Sequence, residues 1–162
     1  MRGSAGPWCR PLSALLWALP AFATADGART PVGLWWAEGG AAQVEIAACG
    51  DDLCGTVTWL RSPFDENGCP VRDLQNPDAH ERGRSLVGTR ILHGLRPAES
   101  GERWSGGRIY DPTSGREYGA DASIDDSGRL HVRGYLGIRL LGRTTVWTRV
   151  QREGDLVCRA DR

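Results

Sequence analysis

The feature that most limits the folds open to this chain is a run of eight short segments with strand-like patterning, each set off by turn residues. They cover residues 32–38, 43–48, 53–60, 86–96, 103–111, 116–124, 129–138 and 143–151. Val44 and Ile46 alternate with Gln43 and Glu45, and Val57 and Trp59 lie opposite Thr56 and Thr58. Tyr118, Ala120, Ala122 and Ile124 share one face, as do Leu130, Val132, Gly134 and Leu136. A period of two is that of a half-buried strand. Gly39-Gly40, Gly50-Asp51-Asp52, Asp111-Pro112-Thr113-Ser114-Gly115, Asp125-Asp126-Ser127-Gly128 and Leu141-Gly142 supply the turns. No segment after residue 25 is long and helix-periodic. An antiparallel meander with one apolar face either closes on itself or folds into a sandwich, and closure removes the exposed edges. The expected fold is all-β: an eight-stranded antiparallel up-and-down β-barrel. Such a barrel holds packed side chains or one small ligand.

The pattern breaks between strands three and four. Residues 61–85 contain three prolines, two asparagines and many charges without a sustained period. Loops of this length inside a compact domain are usually functional or locally structured. Asp78 with Glu81 three positions on forms a D-x-x-E box, which predicts a one- or two-turn helix over 79–84. A solvated connection is the rival reading. The loop is placed to cover one barrel mouth, bringing Asn76, Asp78, Arg82 and Arg84 near it. The richest stretch is 104–118, WSGGRIYDPTSGREY. Gly106-Gly107 permits a bulge there, which lets Trp104 and Ile109 face the same side.

The first 25 residues read as a cleaved secretory signal. Arg2 and Arg10 are basic, residues 11–22 are apolar but too short to span a bilayer, and Ala23-Thr24-Ala25 offers small residues for cleavage. The barrel domain is then 26–151, with a loosely held tail at 152–162. The expected location is periplasmic or secreted, with no stable membrane span after processing. Four cysteines remain, Cys49, Cys54, Cys69 and Cys158. Cys49 and Cys54 flank a turn and suit a hairpin disulfide. Cys69 with Cys158 would follow by elimination, although four cysteines allow three connectivities. The spacing is poor for a four-cysteine zinc site.

Composition narrows the chemistry. The chain has no lysine, which excludes a Schiff-base lysine, a Ser-Lys dyad and a P-loop lysine. After residue 25 there are 18 arginines against 20 acidic residues, so no basic excess exists to hold nucleic acid. No G-x-S-x-G, H-E-x-x-H or EF-hand spacing occurs. His80, His93 and His131 are scattered, and the paired aspartates fall in turns. No catalytic residue, metal ligand or cofactor is assigned, and an enzymatic role at the mouth is the least favoured reading. Binding is better supported: Trp59, Asn76, Asp78, Arg82, Trp104, Tyr110, Tyr118 and Tyr135 are the candidate ligand-contacting residues. The expected partner is a small, partly apolar molecule in or at the mouth of the barrel. The alternative is an interaction module of the cell envelope whose barrel is filled by its own side chains. The oligomeric state is left open.

Two resemblances follow from these motifs. Gly33-Leu34-Trp35 near the start and Trp147-Thr148-Arg149 near the end resemble the lipocalin and streptavidin-like (calycin) superfamily. The resemblance implies that Gly33, Trp35, Trp147 and Arg149 close the barrel, with the arginine stacked on the indole of the first strand. Over residues 31–150 the chain also resembles the bacterial domain of unknown function 2147 family. The matching stretches are GLWW, CGDDLCG at 49–55, Asn76-Pro77-Asp78, WSGGRIYDPTSGREY, RGYLGI at 133–138 and GRTTVWTRV at 142–150. That resemblance implies a small exported calycin-type barrel and brings no established activity.

Overall fold

The structure, a computed structural model, describes residues 29–99 and 102–151. The proposed signal segment, the 152–162 tail and Cys158 lie outside the described residues. The strands are β1 (Gly33–Trp36), β2 (Ala42–Cys49), β3 (Asp52–Leu60), β4 (Arg90–Pro97), β5 (Arg103–Asp111), β6 (Arg116–Ile124), β7 (Leu130–Tyr135) and β8 (Arg143–Arg149). Each pairs antiparallel with the next, and β8 returns to β1 through Trp35↔Arg149 and Trp36↔Thr148, so the sheet is a closed barrel. Single 3-10 turns occupy Glu38–Gly40 and Arg139–Leu141. Among the described residues no helix is long and apolar enough to cross a membrane.

Alternation decides which side chains enter the barrel. Trp35, Val44, Ile46, Leu92, Leu95, Trp104, Ala120, Ala122, Ile124, Leu130, Val132 and Trp147 form one buried cluster. Three tryptophans and the aliphatics fill the lower barrel, while Ala120 and Ala122 leave the room those rings require. The bulge expected at Gly106-Gly107 is present: the β5–β6 register shifts between Trp104 and Gly107, and both Trp104 and Ile109 turn inward. A Cβ on Gly107 would lie 2.7 Å from the Leu95 side chain, so glycine is what allows Leu95 into the core.

Three expectations change. No helix forms over 79–84, where the backbone makes consecutive turns (Glu81 N–H to Asp78 C=O, Arg84 N–H to Glu81 C=O). Asp78 Oδ1 accepts from His80 N–H, two residues on, and Glu81 pairs with Arg84 rather than reaching back to complete a capping box. With Gly83 inside the segment, so short a stretch cannot recover the cost of nucleating a helix. Second, residues 86–89 turn instead of extending β4, through Thr89 N–H to Leu86 C=O. Third, β7 stops at Tyr135, before Gly137 (φ 70°), and Leu136 leaves the shared inner face for solvent.

Meander topology sorts the loops to two ends. The segment before β1 and the turns β2–β3, β4–β5 and β6–β7 lie at one end. The β1–β2, β3–β4, β5–β6 and β7–β8 connections lie at the other.

Candidate functional site: the open barrel mouth

The first end is sealed. The Arg149 guanidinium stacks 4.3 Å from the centre of the Trp35 ring and donates to the carbonyls of Val32 (3.0 Å) and Thr30 (2.6 Å). The Trp35 indole N–H donates to Pro31 C=O at 2.7 Å. Gly33 (φ +134°) is required because a Cβ there would lie 2.5 Å from Arg149 Nη1. Arginine suits this position: its flat cation covers an aromatic face while its forked donors satisfy the carbonyls of the entering chain.

The other end is open. Above the packed core lies a cavity of about 680 Å³ that reaches solvent. Its lower wall is apolar: Ile91, Ile109, Val132 and Trp147, with Tyr118 from β6. Its rim is polar: Glu38, Tyr110, Asp111, Thr113, Arg143 and Thr145. Gly134, inward-facing on β7, leaves an opening in the wall; a Cβ there would meet Ile109 at 3.5 Å and Tyr118 at 3.8 Å, ordinary contact distances. Across the rim Arg143 pairs with Glu38 at 3.0 Å, and the Trp147 indole N–H donates to Thr145 Oγ1 at 3.1 Å. The Asp111 carboxylate is occupied by its own turn, accepting from Thr113 N–H and Ser114 O–H. Among the described residues no buried side-chain nitrogen or oxygen lacks a partner, and no three potential metal ligands converge. What remains is a volume within the range of small-molecule sites, apolar at depth and polar at the lip.

The long loop does not cover this mouth. It folds back on the outer face of β5 and β6, pinned by Asp73, which is fully buried. Asp73 accepts from the Tyr110 O–H at 2.6 Å and the Asn76 side-chain amide at 2.7 Å, and Arg84 lies 3.6 Å away. Burial first, and then the hydrogen bond to Asp73, pushes the Tyr110 phenol up to about 12. A Cβ on Gly115 (φ +68°) would lie 1.9 Å from Gln75 C=O, so the loop packs directly on the β5–β6 turn. Arg82 donates to Asn76 C=O at 2.7 Å and holds the loop's own bend.

Of the eight candidate ligand residues, only Tyr110 and Tyr118 line the mouth cavity. Asn76, Asp78 and Arg82 belong to the outer loop, where Asn76 Oδ1 accepts from Asp78 N–H. Trp104 is buried in the lower core. Tyr135 lies on the outer wall, where a Cβ on Gly119 would meet its ring at 2.5 Å. Trp59 is also outside. The β2–β3 register shifts so that Gln43 faces Trp59 while Val44 faces Val57, making Thr58 the extra residue. This bulge undoes the alternation that put Val57 and Trp59 on one face, and Trp59 meets Trp36 edge-on, with centroids 5.3 Å apart. Ile91, Ile109, Val132 and Thr145 line the cavity without having been singled out. Ile109, Val132 and Thr145 are inward positions of alternating strands, whereas Ile91 is the extra residue of a bulge in β4, which alternation does not reveal. Trp147, assigned to closure, is part of the cavity wall.

Cys49 and Cys54 are bonded across the β2–β3 hairpin, with Cα atoms 5.9 Å apart, while Cys69 is exposed and unpaired among the described residues.

The chain belongs to the family described as "Uncharacterized protein conserved in bacteria (DUF2147)", whose model matches residues 33–149. No curated protein matches it. Among solved structures it is similar to protein HP1028 from the human pathogen Helicobacter pylori, described as belonging to the lipocalin family. The identity is 21%, the TM-score 0.64, and the match covers 76% of this chain and 84% of that one. At that identity the likeness is one of fold.

Proposed function

We propose that this member of the family binds a small, partly apolar molecule in the open mouth of its barrel. The observation that carries the reading is the cavity of about 680 Å³, with an apolar floor on Ile91, Ile109, Val132 and Trp147 and a polar rim. A ligand that fits these walls has a hydrocarbon or aromatic body and a neutral or zwitterionic head, because the rim charges Glu38 and Arg143 already face each other. The same reading puts the chain in an oxidising compartment, periplasmic or secreted. It is supported by the Cys49–Cys54 bond and by the basic, apolar and Ala-x-Ala segments of residues 1–25.

The test is uptake of a neutral apolar fluorescent probe, N-phenyl-1-naphthylamine, by the wild-type protein and by Gly134→Leu. That substitution adds a side chain at a wall position whose Cβ would make only ordinary contacts, with Ile109 and Tyr118. Saturable binding that falls about tenfold or more in the variant, the loss of a few apolar contacts, supports the proposal. Equal binding by both proteins puts the probe elsewhere and removes the support.

A further inference from the structure

The β7–β8 connection presents Leu136, Ile138, Leu140 and Leu141 to solvent within six residues, the last two 83% and 76% exposed. The other exposed large apolar side chains, such as Val32, Phe64 and Leu74, are dispersed along the chain. Scattered apolar residues are ordinary on a surface, but a contiguous group is not.

This tip is built. Ile138 N–H donates to Leu136 C=O, Leu141 N–H to Ile138 C=O and Gly142 N–H to Arg139 C=O. Arg133, reaching from β7, spends its guanidinium on the tip: it donates to the carbonyls of Arg139 (2.9 Å) and Leu140 (3.1 Å) and to Thr144 Oγ1 (3.0 Å). A Cβ on Gly142 would lie 2.6 Å from Gly134 C=O, so the loop base is clamped to β7. The backbone polar groups are thus tied down from inside while the leucines face outward.

Charge identifies what the tip meets. The tip and the strand ends beside it carry three arginines, Arg133, Arg139 and Arg143, and no acidic residue of their own, while Arg129 and Arg149 lie at the sealed end. The carboxylates that approach from other elements, Asp121 on Arg139 and Glu38 on Arg143, are each held in an ion pair. Arg133 has only carbonyls and a hydroxyl as partners. Exposed aliphatics among arginines, with no free carboxylate, match the boundary between anionic headgroups and acyl chains. A stable pair of protein copies needs roughly 800 Å² from each partner, more than a six-residue protruding turn presents, whereas a bilayer accepts a small convex tip.

We infer that the β7–β8 tip docks the protein on an anionic phospholipid surface, with the open end of the barrel turned toward the lipid. This goes beyond the ligand reading and stands independently of it. The test is flotation of the purified protein with vesicles of mixed phosphatidylglycerol and phosphatidylethanolamine, and with pure phosphatidylcholine vesicles. The expected result is salt-sensitive flotation with the anionic vesicles and less with phosphatidylcholine. Leu140→Glu/Leu141→Glu weakens it by about tenfold or more, Leu140→Ser/Leu141→Ser weakens it too, and Val32→Glu, at the sealed end, leaves it intact. Wild-type protein that stays soluble with both vesicle types overturns the inference, as does flotation unchanged in both double variants. If the wild-type protein instead self-associates and the double variants are monomeric, the tip's occupant is a second copy and the lipid assignment is wrong.

Discussion

Arg149 links the two ends of the chain through one side chain. It is exposed at its edges, yet its guanidinium covers Trp35 and holds two carbonyls of the entering segment. Arg149→Met keeps the apolar stem and loses the donors and the cation. We expect a loss of about 2 kcal/mol, since a partly exposed stack and its charge-assisted bonds are each worth about a kcal/mol or more. Thermal denaturation checks this, and Arg149→Lys recovers only part of the loss because an ammonium lacks the planar fork. Residue-scale features of this kind were legible where chemistry is restrictive, as at Gly33, Trp35 and Arg149. They were not legible at Trp59. Its inner or outer placement depends on one extra residue, Thr58, in a stretch with no glycine or proline to mark it. The bulge in β5 was readable because two glycines announce it.

At the scale of elements, the β2–β3 hairpin and the long loop show two ways of fixing a segment. The hairpin is closed by Cys49–Cys54. Removing it with Cys49→Ala/Cys54→Ala should cost about 2 kcal/mol, the chain-entropy value for so short a loop, read as a lowered denaturation midpoint in the absence of reductant. The loop is held by a buried carboxylate. Asp73 anchors Tyr110, and the phenol's ionisation is pushed up to about 12, by burial and then by that bond. The folded value lies above the usual tyrosine value of about 10. The neutral phenol's contribution to stability is therefore complete below about pH 10 and is lost as pH rises through the folded value. Ultraviolet titration should find one tyrosine ionising near pH 12 that is missing in Tyr110→Phe. Rapid proteolysis within 61–89 should set in over the same range. A normal titration for Tyr110 would mean that the loop is not docked as described. The sequence marked this loop as locally structured but gave its direction wrongly. Asn76 and Arg82 looked available to a ligand because nothing in their neighbourhood announces that Asp73 is a buried anchor 37 positions before its partner Tyr110.

At the scale of the molecule, closure and hollowness come from the same alternation. The inward positions of the sealed end are apolar or small, so eight strands can pack that end around Trp35 and Trp104. At the open end Gly134 brings no side chain to the interior, and the space between it, Ile91, Ile109, Tyr118 and Trp147 is the cavity. The barrel and its order of strands were therefore readable from period-two patterning and turn residues. Which inner residues meet the cavity was not, because that depends on where the register shifts in the β2–β3, β3–β4 and β5–β6 pairs fall, including the one that makes Ile91 an extra residue in β4. The mouth, with Glu38–Arg143 across its rim, lies at the same end of the barrel as the exposed apolar β7–β8 tip. The most direct test of the binding account is native mass spectrometry of the protein isolated from its own cells without detergent. The account predicts a non-covalent adduct of small-molecule mass on the wild-type protein that is missing from Gly134→Leu prepared alongside. Polypeptide mass alone on both proteins, or the same adduct on both, would contradict it.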